Sequence, residues 1–302
     1  MVPELLFSIV IPTYNRPERL QMCLQSIAQL DYPRDQFEVI VVDDGSSTPL
    51  EATVAPFQPQ IDITLIRQPN SGPASARNTG AAHAKGQFLA FTDDDCVLLP
   101  NYLHTLEQHA LRSPDRLIGG RTLNALPENI CSAASQALID YLYSYYNETS
   151  DACFFASNNF AMPVTQFRAL GGFDTSFPLA AGEDREFCDR WLHQGYKMLY
   201  APMVQIRHAH HLTLRTFWRQ HFNYGRGAFC FHQVRAQRSQ TGIQVEPFSF
   251  YFNLLRYAFI TAAPLQAIQL LLLLLLSQIA NVAGFFWERV NHPKKPTELG
   301  VV

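Results

Sequence analysis

Three consecutive aspartates, Asp93, Asp94 and Asp95, close the apolar run FLAFTDDD. Neighbouring carboxylates repel one another at short range, so such a run is costly unless something positive neutralises it. Asp93 and Asp95, one residue apart at the end of a strand, are expected to turn toward one crevice. Two carboxylates there suit an oxygen-preferring dication, Mn²⁺ or Mg²⁺, and a metal holding a diphosphate would remove the repulsion. Taken alone, the triplet also fits a solvated acidic turn at a helix N-terminus, where negative charge is favoured. Other polar groups sit at comparable places: Thr13, Tyr14 and Asn15 after one apolar run, Asp43 and Asp44 after the next.

The elements that must position these residues follow from short β-branched runs alternating with helical stretches, which predict an open, mostly parallel α/β sheet flanked by helices. Strands are predicted at Phe7 to Ile11, Phe37 to Val42, Ile61 to Ile66 and Gln87 to Thr92, with Pro17 and Pro73 in the first turns of intervening helices. In such a sheet ligands collect at the carboxyl ends of the strands, which is where every one of these polar groups falls. Each could singly be a turn former; together they read as one site. Farther along, a helix-like stretch from Leu138 to Tyr146, a turn at Gly171 and Gly172 and a helix from Asp184 to Gln194 would complete the pocket.

Composition narrows the partners. The 302 residues are 47% hydrophobic and 16% charged, with 23 basic against 26 acidic side chains, so no basic field exists to hold nucleic acid. Six isolated cysteines form neither a zinc ribbon nor a disulfide framework, and the N-terminus runs almost directly into a strand without a secretory signal pattern, which points to a reducing, cytoplasmic setting.

Beyond single motifs, FSIVIPTYNR, VVDDGS, NSGPASARNTGA, FTDDD, LGGFD, GEDREFCDR and IRHAHH occur in an order and spacing that resembles the inverting glycosyltransferases of family 2 over about residues 5 to 230. The resemblance implies a GT-A fold, the nucleotide-diphospho-sugar transferase fold, in a domain of residues 1–235. It also implies one sugar moved from a nucleotide-diphosphate sugar to an acceptor hydroxyl on a glycan or lipid-linked acceptor, as in polysaccharide or glycolipid biosynthesis. By similarity Tyr14 and one of Asp43 or Asp44 line the nucleobase and ribose pocket and Arg77 approaches the nucleotide. Asp93 and Asp95 would bind metal and diphosphate, and Thr13, Asn15, Asp94 and Glu183 count with the nucleotide-sugar site. Asp184 matches the general base, a role that asks for a carboxylate within hydrogen-bond reach of the attacking hydroxyl; with Glu183 it also suits the N-terminus of the following helix. His208 falls where relatives place a third metal ligand, with His210 and His211 beside it as alternatives. Asn158, Asn159 and Asp174 are candidates for sugar hydroxyls. The QxxRW motif of processive synthases is absent, the corresponding region reading FWRQHFNYGRG, so single transfer is expected. Sugar transfer directly onto polyprenyl phosphate and a non-catalytic nucleotide-sugar-binding module are the competing readings. A nucleotidyltransferase is disfavoured because IPTYNRPER lacks a glycine-rich phosphate loop.

Residues 236–302 change character: no charged side chain occurs from Tyr257 to Trp287. A helix from Pro264 to Trp287 would measure about 36 Å, enough for a ~30 Å hydrocarbon layer. Gln266, Gln269, Gln278 and Asn281 nevertheless share about half the helical wheel, as an interfacial or docked helix requires. With the aromatic stretch Phe248 to Ala263 before it, this segment is expected to hold the chain, through residues 248–287, at the cytoplasmic face of a membrane.

Overall fold

The computed structural model describes residues 5–147, 152–177, 181–239, 243 and 245–291. Four strands, β1 (Phe7–Thr13), β2 (Phe37–Asp43), β3 (Ile63–Arg67) and β4 (Phe88–Thr92), run parallel, joined by α1 (Pro17–Ala28), the short α2 (Glu51–Val54) and α3 (Pro73–His83). The second half adds β5 (Cys96–Leu98), α4 (Tyr102–Arg112), β6 (Leu117–Asn124), α5 (Ile130–Tyr146), β7 (Asn159–Pro163), α6 (Val164–Leu170), α7 (Glu183–His193) and β8 (Met198–His208). All eight strands form one sheet in the order β3-β2-β1-β4-β7-β6-β8-β5, in which β7 pairs antiparallel with β4 and β6, and β5 antiparallel with β8. The sheet is therefore mixed, parallel throughout its N-terminal half.

The predicted strands lie where they were expected, with β1 and β2 each reaching one or two residues farther, to Thr13 and Asp43. Both are buried along their whole length because they carry helices on both faces, which is why they read as continuous apolar runs. Ile9, Ile11, Val39 and Val41 face one cluster with Leu20, Leu24, Leu103 and Leu106; Val10, Ile40 and Val42 face another built on Phe91, Phe160, Phe187 and Trp191. Strands β5 to β8 were not among those predicted: Gly119 and Gly120 interrupt the apolar pattern of β6, and β5 is three residues long. Helix α5 starts eight residues before the predicted stretch, at Ile130, where the Asn129 side chain caps it by accepting from the Ser132 amide at 2.8 Å. Gly171 and Gly172 both adopt positive φ, as their turn demands.

The C-terminal region is three helices, α8 (Leu214–Ser239), α9 (Phe248–Thr261) and α10 (Pro264–Asn291). Helix α10 lies on α8 with backbones in close approach: a Cβ on Gly225 would overlap the Asn281 carbonyl, and one on Gly284 the Phe222 carbonyl. Its buried residues, Ala267, Leu270, Leu274, Ser277, Ala280, Gly284 and Glu288, repeat every three to four residues along one stripe. Arg226 closes the far end on Glu288 at 2.7 Å. Gln278 and Asn281 are half-buried on the docked side, whereas Gln266 and Gln269 are exposed, so only the later half of the polar arc is turned toward protein. Leu265, Ile268, Leu272, Ile279, Val282, Phe286 and Val290 face outward instead.

Candidate active site

Strand register brings the candidates to one edge. Thr13 stands beside Asp43 and Asp43 beside Arg67 in the parallel half; Thr92 stands beside Asn159; His208 stands between Cys96 and Asn124. Residues from all over the chain thus meet at the carboxyl ends of β1, β2 and β4 and the end of β8.

The acid triplet sits in a turn that closes from Cys96 N to Asp93 O at 3.1 Å and aims the three side chains at different partners. Each meets one arginine. Arg77 Nη2 donates to Asp93 Oδ1 at 2.8 Å, Arg16 Nη1 to Asp94 Oδ1 at 3.2 Å, and Arg19 Nη1 to Asp95 Oδ2 at 2.9 Å. Thr13 Oγ1 also donates to Asp94 Oδ2 at 2.8 Å, and His208 Nε2 lies 3.1 Å from Asp95 Oδ1. The repulsion anticipated for the triplet is relieved by the protein's own cations, and Asp93 leans toward Arg77 rather than sharing one ligand pocket with Asp95. Burial pushes the Asp94 carboxyl up to about 6 against the pull of Arg16. At Asp95 burial acts in the same sense but is outweighed by the hydrogen bond and charge of His208 and by Arg16, which hold it well below the carboxylate range. His208 shifts the opposite way: burial would lower it, and Asp95 raises it. The two shifts describe one ion pair.

Arg77 is buried and bridges two motifs, its Nη1 reaching Glu183 Oε1 at 3.3 Å while Nη2 holds Asp93. That bridge sets the N-terminus of α7 beside the acid triplet. Gly182, at φ 92°, turns the chain into α7, and the loop packs on α8 so closely that a Cβ on Gly227 would overlap the Ala181 carbonyl. The helix is anchored beneath by Phe173 and Phe187, ring centroids 4.7 Å apart, and by Asn78, which exchanges two 2.8 Å hydrogen bonds with the Phe173 backbone. Burial, then the charge of Asp184, pushes Glu183 up to about 7 against Arg77. Asp184 is raised as well, by burial, although the Arg185 amide donates to its Oδ1 at 2.8 Å. Glu183 shares Arg77 with Asp93, and its Oε2 has no hydrogen-bond partner among the described residues.

The remaining candidates separate. Asp44 accepts from Gln68 Nε2 and the Ser71 and Gly72 amides at 2.7 to 2.9 Å, so both its oxygens are spent on the loop into α3. Asp43 accepts from the Ser46 amide at 2.8 Å and keeps Oδ2 toward Arg67, 3.7 Å away. Asn15, at φ 55°, clasps the two loops, its amide donating to Ser46 Oγ at 2.9 Å and its Oδ1 accepting from Ser47 N at 2.7 Å. Tyr14 is exposed beside them. Asn159 is a correction: fully buried, it accepts from Tyr102 at 3.2 Å and donates to the Arg121 and Val204 carbonyls, leaving nothing for a sugar. Asp174 accepts from Ser176 N at 2.8 Å, closing its own turn, and does not line the cleft described next.

That cleft, an open space of about 500 Å³, lies between α5, α8 and the end of β8, lined by polar groups that include Thr122, Gln136, Asn158, His208, Gln220 and Tyr224. His210 also faces it, burial and the His208 charge pushing its imidazole down to about 4, so it is neutral near pH 7. His211 is exposed. The sequence reading passed over Arg16, Arg19, Gln136, Gln220 and Tyr224. Arg16 and Arg19, three residues apart at a helix start directly after β1, carry a spacing that would have found them.

For a divalent metal the residues fit. Asp95, Cys96 and His208 offer ligand atoms within 4.8 Å of one another. Burial, with Asp95 and Asp93, pushes the Cys96 thiol far up, so carboxylate and imidazole are the donors, as suits Mn²⁺ or Mg²⁺.

Comparison with known proteins points one way. Residues 8–165 match the model of glycosyl transferase family 2, and residues 88–287 that of glycosyl transferase family group 2. The chain is 30% identical over 227 residues to the pre-mycofactocin glycosyltransferase of Mycobacterium tuberculosis, covering 73% of this chain and 46% of that protein, so it spans about half its relative's length. Among solved structures it is similar in fold to the mannosyltransferase PcManGT from Pyrobaculum calidifontis in complex with GDP-Man and Mn²⁺ (TM-score 0.62, 19% identity, 91% of this chain and 86% of that one). It also resembles S. aureus TarS 1-349 in complex with UDP-GlcNAc (TM-score 0.54, 16% identity, 93% and 89%). These likenesses show a GT-A fold.

Proposed function

The chain belongs to glycosyl transferase family 2, and on that premise we propose that it moves a single sugar, with inversion, from a nucleotide-diphosphate sugar to an acceptor hydroxyl. The observation that carries this reading is Arg77, which ties Asp93 to Glu183 and so sets the Gly182–Asp184 turn against the acid triplet. Tyr14 and Asp43 receive the nucleobase and ribose, Asp44 holding the loop beneath them. Asp95 and His208 would hold Mn²⁺ or Mg²⁺, which would supply Lewis-acid stabilisation of the leaving diphosphate, with Asp93 held nearby by Arg77. Asp184 accepts the proton of the attacking hydroxyl: its raised proton affinity suits a base, and among the described residues no ion pair holds its carboxylate. Asn158 and the polar wall of the cleft bind hydroxyls of donor or acceptor. Glycan or lipid-linked acceptors fit a chain whose outward stripe on α10 is apolar. Because α10 is docked backbone to backbone on an arginine-bearing α8, an interfacial seat in a membrane fits it better than a span.

A direct test needs no acceptor. UDP-, GDP- and dTDP-sugars are screened for thermal stabilisation with and without Mn²⁺, and the hit is assayed for slow donor hydrolysis. Metal-dependent hydrolysis lost in Asp184→Asn supports the reading. Tight binding with no turnover toward water or a broad acceptor set would instead identify a nucleotide-sugar-binding module, and a monosaccharide phospholipid formed in membranes would identify transfer onto polyprenyl phosphate.

A further inference from the structure

Both oxygens of Asp95 already face a basic side chain. Its Oδ2 is held by Arg19 at 2.9 Å, with Arg16 3.7 Å away, and its Oδ1 by His208 at 3.1 Å. A metal ion binding to this carboxylate competes with these cations for its lone pairs. The His208 side chain is 20% exposed and is itself a candidate ligand, whereas Arg19 and Arg16 are 34% and 51% exposed, on long side chains at the rim of the crevice. The arginines are the groups able to leave. Charge adds a condition: three guanidinium groups already face the triplet, so a bare dication would add two positive charges beside them. A diphosphate removes that excess and offers oxygens that a displaced guanidinium grips strongly.

We infer that Arg19, supported by Arg16, is a built-in counter-cation for Asp95 that the divalent metal displaces only together with a nucleoside diphosphate, so that metal and nucleotide bind as a mutually dependent pair. The inference rests on the nucleotide-sugar reading of the site. It gives Arg19 a positioning role: it occupies the metal's carboxylate in the empty enzyme and turns to the diphosphate in the loaded one. An empty site of this kind resists free metal and holds its acids in place without it.

The test reads binding rather than turnover. Free Mn²⁺ is measured by electron paramagnetic resonance against the whole chain, with and without saturating UDP or GDP. For the wild type, nucleotide should tighten Mn²⁺ by about tenfold or more, and Mn²⁺ should tighten the nucleotide by the same factor, as reciprocity requires. In Arg19→Gln, Mn²⁺ alone should bind several-fold tighter than to the wild type, and the help it receives from nucleotide should shrink. Arg19→Lys should keep the wild-type pattern, and Arg16→Gln should show the same change as Arg19→Gln but smaller. A merely structural arginine would give no gain in metal affinity when removed. A folded Arg19→Gln, judged by circular dichroism, that binds Mn²⁺ alone no tighter than wild type overturns the inference. So does a wild type whose Mn²⁺ affinity ignores nucleotide, an outcome that leaves the proposed transfer standing. Failure of UDP, GDP and their sugars to bind in the presence of Mn²⁺ would sink the nucleotide-sugar reading and the inference with it.

Discussion

The crevice at the end of β4 and the helix α10 both carry groups that their own stretch of sequence leaves uncompensated, three carboxylates in one case and an unbroken apolar helix in the other. The fold treats them differently. In the crevice every aspartate receives an arginine, two from the start of α1 and one from α3. On α10 only one stripe is covered, by α8, α5 and α9, and the opposite stripe stays outward. Charge can be answered by a single well-placed side chain, whereas an apolar face of about 42 Å needs another surface of comparable length. The two regions are also joined: on α8, Gly225 receives α10 and Gly227, two residues on, receives the loop that carries Glu183 and Asp184.

The contrast can be broken at either end. The largest effect is expected in the crevice, where Asp184→Asn and Asp95→Asn should each lower donor turnover by about 10² to 10⁴-fold with the far-ultraviolet circular dichroism unchanged. Unfolding of either variant would mean that these acids serve the fold rather than the chemistry. On the outward stripe, Leu272→Gln with Ile279→Gln should weaken binding to anionic lipid vesicles by about 10²-fold, since each apolar side chain removed from lipid costs about 1.5–3 kcal/mol. Stability in solution should hold, because both residues are exposed; unchanged vesicle flotation would make the stripe a protein–protein surface.

The link through α8 is sharpened by two glycines. Gly225→Leu should cost about 1–3 kcal/mol in thermal unfolding by prising α10 off, with donor hydrolysis largely kept. Gly227→Leu presses on Ala181 and should cost turnover as well. Equal losses of turnover in both would show that α10 and the crevice move as one body.

The smallest effects are in pH. The base must be ionised, so turnover should rise as pH climbs through the raised Asp184 and Glu183 values and fall below them. Removing the neighbouring charge in Glu183→Gln should move that acid limb to lower pH. Stability runs the other way. The folded chain holds the Glu183 proton more tightly than the unfolded one, so this contribution is full below the ordinary glutamate value and is lost as pH rises through about 7. Melting temperature followed from pH 5 to 8 should show this fall in the wild type, and Glu183→Gln should flatten it.

Much of the site was legible because it lies at strand ends. Short, nearly continuous apolar runs locate the carboxyl edge, and Thr13, Asp43 and the triplet follow from that alone. Asn158 and Asn159 show where this kind of reasoning stops: adjacent residues with the same side chain, one lines the cleft and the other is consumed by Tyr102 and two carbonyls. Side-chain direction alternates along the chain, and only the pairing of β7 with β4 and β6 decides which amide faces inward.

By itself the sequence determined the parallel half-sheet, the edge at which chemistry collects and the apolar character of α10, because each depends on local periodicity. Tertiary structure alone decided which arginine meets which aspartate, since Arg16 and Arg19 stand some 76 to 78 residues from their partners. It also decided that His208 reaches Asp95, through the pairing of β8 with β5, and that α10 turns Gln278 and Asn281 toward protein while Gln266 and Gln269 stay exposed, through the glycine contact with α8. Those outcomes depend on strand register and helix rotation, which packing between distant segments sets.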